Sequence, residues 1–262
     1  MDEGEHSPDG PGNPSFMLSL ARGLAVLKAF EGQDWLSIAD AARLTGLARA
    51  SVGRCLYTLK YLGHVREQGG RYALAPGLLP LASNYLTSTP LATAGQSVVN
   101  GLRDRLGETV SLGVLDPARP ARIIYIARSE KSAVIAGPLM VGSTLPSHCT
   151  SMGRVIVAAM EDAACDDWFA TVPLPARTSR TITDPAILRR VLGEVRRQGW
   201  ALVEEELEAG LRSLAVPIRG RDGATVAALN VATFSHAHER STLLDTFLPE
   251  LRAAAGQLER MV

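Results

Sequence analysis

The sequence predicts an α+β chain in two parts: a small, mostly helical unit closed by a hairpin, then a larger unit in which strands alternate with helices. Three observations carry this. Apolar residues recur at helical spacing from residue 16 to residue 62, then give way to two short extended segments about Gly69-Gly70. Beyond residue 106, segments 109–115, 122–128, 201–205, 211–219 and 225–233 read as strands, with helical stretches between them. The chain has 262 residues, 46% of them hydrophobic, which is enough for two cores and too apolar for general disorder.

Residues 1–15, rich in Gly, Pro and acid, read as a disordered tail. The first helix, SLARGLAVLKAFE, is expected to bury Leu20, Leu24, Leu27 and Phe30 as one stripe. Segment 36–62, LSIADAARLTGLARASVGRCLYTLKYL, reads as two helices joined by a turn at Gly46. Ser37 with Asp40 three residues on resembles a capping box for the first of them, and Ala48 offers the second no cap. In the second helix Val52, Cys55, Leu56, Leu59 and Leu62 fall on one side, leaving Arg49, Ser51, Arg54, Tyr57 and Thr58 facing away.

An outward face of arginines, hydroxyls and a phenol on a helix held by its opposite side suits the DNA major groove, where Arg forks onto guanine. Arg49, Ala50, Ser51, Arg54 and Tyr57 are therefore the candidate groove contacts. Amphipathic helix pairs are common, so the hairpin that follows carries the discrimination. It places Arg66 and Arg71 beside its turn, where a wing grips backbone phosphate; a solvated turn with incidental arginines is the alternative. The predicted unit is a winged helix-turn-helix over residues 16–75, with double-stranded DNA as its partner.

Formal charge is zero overall but uneven. Residues 18–75 carry eight basic and four acidic side chains, whereas the first 17 carry four acids and no Lys or Arg. Positive charge thus gathers on the predicted DNA reader, though the excess is modest. No 18-residue apolar run or basic-then-apolar leader appears, so a cytoplasmic protein without membrane association is expected. Three scattered cysteines, Cys55, Cys149 and Cys165, argue against a disulfide framework or a CxxC zinc site.

Pro76-Gly77 marks the exit from the hairpin; a linker helix follows over 78–86 within a connecting segment, 76–90, and is a candidate dimer contact. A longer helix, 90–106, opens on Pro90 and ends at Gly107. Helices are further expected at 150–160, 184–198 and 240–261, so residues 91–262 form a sheet packed by helices. The loop 145–151 leads into one of them, whose free N–H groups at Ser151 and Met152 suit the carboxylate of an aromatic or dicarboxylic acid.

Arg180 and Arg212 are candidate counter-charges, with surface or structural ion pairs as the preferred reading of each. His148-Cys149 invites a nucleophile-and-base reading, but adjacent loop residues seldom meet in reaction geometry and no third group is visible, so no enzyme is predicted. Metal binding by His148, Cys149 and His236 or His238 is the rarer alternative; no metal or other cofactor is predicted. Glu204, Glu205, Glu206 and Glu208 read as a solvated strand end rather than paired catalytic carboxylates. Met140 and Met152 read as core filler or as walls of the cleft.

Several stretches together resemble the IclR family of transcriptional regulators: LPSHCTSMGRVIVAAM at 145–160, SRTITDP at 179–185, GLRSLAVPIR at 210–219 and ALNVAT at 228–233. The opening FMLSLARGLAVLKAF at 16–30 is similar to the subgroup controlling β-ketoadipate pathway genes, including those for protocatechuate and 4-hydroxybenzoate breakdown. The resemblance implies a winged helix-turn-helix joined by a helix to a GAF-like α/β effector-binding domain, in a homodimer or a dimer of dimers on a palindromic operator. It implies pocket positions at Leu145, Ser151, Met152, Val203, Leu211, Ser213, Asn230 and Ala232. An acidic residue, a cysteine and two serines of the family pattern are here Val203, Ser213, Asn230 and Ala232, which implies a different, larger or more apolar small-molecule effector.

Overall fold

Helix α1 (Leu18–Lys28), strand β1 (Leu36–Ser37), helices α2 (Ile38–Thr45) and α3 (Arg49–Tyr61), and strands β2 (Val65–Gln68) and β3 (Arg71–Leu74) make the first unit of the computed structural model. The structure describes residues 12–131 and 139–262. The expected tail therefore lies outside the described residues as far as residue 11, and residues 12–15 form a turn in which Asn13 accepts from the Ser15 N–H. Ser37 and Asp40 form the reciprocal capping box that starts α2, each side chain accepting from the other's N–H. Gly46 ends α2 at φ +70°, a left-handed turn open to glycine without strain.

Val52, Leu56 and Leu59 of α3 pack with Val26, Phe30, Leu36, Ala41, Val65 and Tyr72 into the first core. Two details depart from the sequence reading. Leu36–Ser37 is a short strand paired with β3, so the wing is three-stranded, in the order β1-β3-β2. The stripe expected of α1 is displaced: Val26 and Phe30 are buried, Leu27 is half-buried, and Leu20 and Leu24 are exposed, as is Leu62 beyond α3. The short helix α1 turns the Val26–Phe30 edge to the core. Its Leu20–Leu24–Leu27 edge is left lining an open apolar hollow of about 560 Å³ with Met17, Leu62 and Leu81.

Helix α4 (Leu79–Ser88) follows, and the boundary between the two units falls inside it, after Tyr85. The second unit is a six-stranded antiparallel sheet in the order β6-β5-β4-β9-β8-β7. Its strands are β4 (Thr109–Leu115), β5 (Arg122–Ser129), β6 (Thr144–Pro146), β7 (Ala201–Glu204), β8 (Leu211–Arg219) and β9 (Thr225–Phe234). One face is covered by α5 (Pro90–Leu106) and α10 (Leu248–Glu259), which bury Leu102, Leu112, Leu214, Leu229 and Leu251 between them. The other is covered by α6 (Ser151–Ala158), α7 (Asp162–Thr171) and α8 (Pro185–Gln198), with Ile123, Met152, Trp168 and Leu188 in the core. This is the predicted α+β arrangement.

Neither β6 nor α7 was expected; β6 is three residues long, too short for an alternation to register. The single closing helix expected over 240–261 is broken into α9 (Arg240–Thr242), a π turn (Leu243–Phe247) and α10. Pro249 has no N–H to donate four residues back, and Leu248 donates five residues back to Leu243 instead.

Candidate functional site

In the first unit the buried side of α3 fixes what its other side presents. Arg49, Ala50, Arg54 and Tyr57 are exposed and Ser51 is half-buried. Arg49 and Arg54 have no ion-pair partner among the described residues. Tyr61, absent from the predicted set, is the most exposed large hydrophobic side chain of the helix at 84% and shares the face of Arg54 and Tyr57 at i+7 and i+4, a spacing that was readable. The Thr58 hydroxyl, on the exposed side, donates back to the Arg54 carbonyl of the same helix. Lys60 reaches Glu67 of β2 at 2.7 Å, tying α3 to the wing, and this carboxylate raises the lysine's pKa.

Gly69 and Gly70, both at positive φ, make the tight turn of the wing. Arg71 beside it is exposed and free of any ion pair among the described residues. Arg66 is exposed but stacked, its guanidinium 4.6 Å from the centre of the Trp35 ring, which orients it without neutralising it.

In the second unit the predicted pocket residues share one side of the sheet and the start of α6. Strand register aligns Arg128, Ser111, Asn230, Ala215 and Ala201 in a row across β5, β4, β9, β8 and β7. Ala232, Ser213 and Val203 form the next row, and Leu211 stands beyond Ser213 on the same side. Leu145 in β6 pairs with Ile123 at the edge strand. The face is built mostly from small side chains.

Over it lies the first turn of α6, capped by Thr150, whose hydroxyl accepts from the Gly153 N–H. Gly153 is required there, since a Cβ would fall on the Ser147 carbonyl. Met152 sits over Gly113, where a Cβ would stand 3.1 Å from its sulfur. Cys149 packs with Leu207, Leu211 and Ala232. Ser151, buried between these two anchors, has a hydroxyl with no partner among the described residues, and the side-chain oxygen of Asn230 is likewise buried and unpaired among them.

Three residues that the sequence did not single out complete this polar clearing. The Arg128 side chain is 5% exposed and donates to Ser111 at 2.8 Å, while its other branch pairs with Glu130 at 2.8 Å. Tyr125 shares a hydrogen bond with Ser111, and burial pushes its hydroxyl up to about 12. An arginine near the end of a strand looks like an exposed edge residue in sequence, and only the register brings it to Ser111 and Asn230.

The charges offered earlier as counter-ions are occupied elsewhere. Arg212 pairs with Glu204 at 2.7 Å and donates to the His238 carbonyl, and the exposed Arg180 lies 3.6 Å from Glu205. Glu206 is not a solvated strand end as expected: it is buried, 2.5 Å from the equally buried Arg154, and accepts from the Ile182 N–H. Arg154 also donates to the His148 carbonyl, so the clasp joins the α6 loop, segment 178–182 and the turn after β7.

His148 bonds the Pro175 carbonyl at 3.0 Å, and burial lowers its pKa. Cys149 is buried against apolar neighbours, and burial pushes its thiol up to about 12, which disfavours the thiolate a nucleophile needs. Among the described residues no three His, Cys, Asp or Glu side chains gather as a metal site. Met140 is exposed rather than in a cleft wall.

A winged helix-turn-helix with uncommitted arginines, followed by a sheet whose buried polar face meets a helix N-terminus, defines a DNA-binding regulator with a small-molecule sensing domain. The chain belongs to the IclR family of bacterial transcriptional regulators and is not an enzyme. Residues 19–69 match the IclR helix-turn-helix domain and residues 83–260 the bacterial transcriptional regulator IclR C-terminal domain.

Among its relatives, the Pca regulon regulatory protein of Pseudomonas putida is 45% identical over 94% of this chain and 84% of its own. The p-hydroxybenzoate hydroxylase transcriptional activator of Acinetobacter baylyi is 32% identical over 98% and 96%. An IclR homologue from Microbacterium hydrocarbonoxydans, solved in complex with 4-hydroxybenzoate, superposes with a TM-score of 0.74 at 25% identity, covering 92% and 98% of the two chains.

Proposed function

We propose that this protein is a ligand-responsive regulator of aromatic-acid catabolism genes of the β-ketoadipate and protocatechuate type, working in the cytoplasm. Its reader, residues 16–75, binds a palindromic operator as part of a homodimer or dimer of dimers, and residues 76–90 connect it to a sensor, residues 91–262. Arg49, Ala50, Ser51, Arg54 and Tyr57 contact the groove while Arg66 and Arg71 hold phosphate. A small carboxylate effector is held among Leu145, Ser151, Met152, Val203, Leu211, Ser213, Asn230 and Ala232.

The observation that carries the sensor reading is the pair of buried, unpaired oxygens on Ser151 and Asn230, because orphaned polar atoms in a core cost stability unless something else satisfies them. The names of the two relatives and the ligand of the solved homologue point the chemistry toward hydroxybenzoates and their breakdown products. The apolar strip of Met17, Leu20, Leu24, Leu62 and Leu81 supports the dimer, since exposed surface of this kind is usually covered by a partner.

A thermal-shift screen of protocatechuate, 4-hydroxybenzoate, β-ketoadipate and simple 2-oxo acids tests the reading. One of the first three should raise the melting temperature and alter operator affinity in a gel shift. A response to 2-oxo acids alone would assign the protein to another catabolic operon.

A further inference from the structure

We propose that Arg128 is the specificity-determining residue of the sensor, the cation that recognises the effector's acid group. This rests on the reading of that face as the effector site. The Arg128 side chain is 5% exposed, and it stands in register with Ser111 and Asn230 in the row that crosses the sheet. Its guanidinium carries five N–H donors. The structure gives Ser111 one of them and Glu130 another, and among the described residues Nε is buried without a partner. Ser111 holds the group from one side and the Tyr125 ring lies 5.3 Å from its centre on another, so the fork is oriented before any ligand arrives.

A buried arginine with spare donors is matched in shape and charge by a carboxylate, which can take two parallel N–H bonds. Glu130 does not fill that role, because its carboxylate is 41% exposed and can return to water when an incoming acid takes its place. The unpaired oxygen of Asn230, next but one in the same row, accepts what an acid cannot supply and a phenol can: a hydroxyl proton. The row therefore selects molecules with an acid group at one end and a hydrogen-bond donor further along, which is the chemistry of a hydroxybenzoate. Arg154, which is buried, is spent on Glu206, and Arg180 and Arg212 on Glu205 and Glu204.

The test is calorimetric titration of the full chain with 4-hydroxybenzoate and with its uncharged methyl ester. The wild type should prefer the acid by at least tenfold. Arg128→Gln should bind the acid ten- to a hundredfold more weakly and the ester as before, with Arg128→Lys in between. Retained operator binding without ligand shows that the variants are folded. Should Arg128→Gln fail to fold, Ser111→Ala, which frees the guanidinium from its holder, should reduce the same preference.

A wild-type preference for acid over ester in either variant would overturn the assignment while leaving the effector site intact. If the wild type binds β-ketoadipate and not the benzoate, the comparison is repeated with that acid and its dimethyl ester, and only the aromatic identity is lost. If it binds none of the acids screened above, the effector reading and this assignment fail together.

Discussion

Arg54 leaves α3 opposite Val52, Leu56 and Leu59, so its direction is set by what those three bury. Arg54→Ala should weaken operator binding by about 1–3 kcal/mol and relax base preference; unchanged affinity and preference in a gel-shift titration would remove α3 from the groove. Arg71→Ala should weaken binding to every sequence and reduce the salt slope by roughly one unit. The two outcomes should differ because the contact proposed for Arg54 is to a base edge and that proposed for Arg71 is to a phosphate.

In the sensor, burial lowers the pKa of His148, so the unfolded chain takes up the proton first as pH falls. Its contribution is complete above the ordinary value of about 6.5 and is lost as pH drops from there toward the folded value. His148→Gln should accordingly melt with a smaller difference between pH 7.5 and pH 5.5, taken as about two units across that window, than the wild type does. At this scale the sequence was legible where a residue's exposure follows from helical spacing, as at Arg54. It was not legible at Arg128, Tyr125 and Ser111, whose meeting depends on strand register across a bulge between Leu112 and Gly113.

Among the elements, helix termini were the most readable features, because caps are local chemistry. Ser37 and Asp40 close the capping box, Asp184 accepts from the Ala186 and Ile187 N–H groups at the start of α8, and Gly107 ends α5 in the left-handed region. Ser37→Ala should cost about 1 kcal/mol in denaturant unfolding of the reader. The start of α6 is governed by a contact that no cap reveals: Gly153 lies against the Ser147 backbone, and Gly153→Ala should cost about 1–3 kcal/mol and weaken effector binding by moving the Ser151 turn. A stability loss with unaltered ligand affinity would separate that turn from the site. What escaped the sequence here were β1, β6 and the π turn, whose existence depends on a neighbour or on one proline rather than on a repeating pattern, and α7, which buries only Cys165 and Trp168.

For the molecule as a whole, the order of a reader followed by a sensor was legible because hydrophobic period changes from helical to alternating along the chain. The burial of α1 was not, since the sequence cannot say which of two adjacent apolar edges meets the core and which stays open. Its open edge supplies a test of assembly: Leu20→Asp with Leu24→Asp should shift the protein toward monomer in sedimentation and weaken operator binding, whereas unchanged sedimentation would place the self-association elsewhere.

The boundary between the two units lies within α4 rather than in a loop, so the joint is a helix. A helix advances about 100° for each residue added. Lengthening α4 should therefore disturb the coupling of effector to operator in a periodic way: worst after two extra residues, and largely restored after seven, when the phase returns to within about 20°.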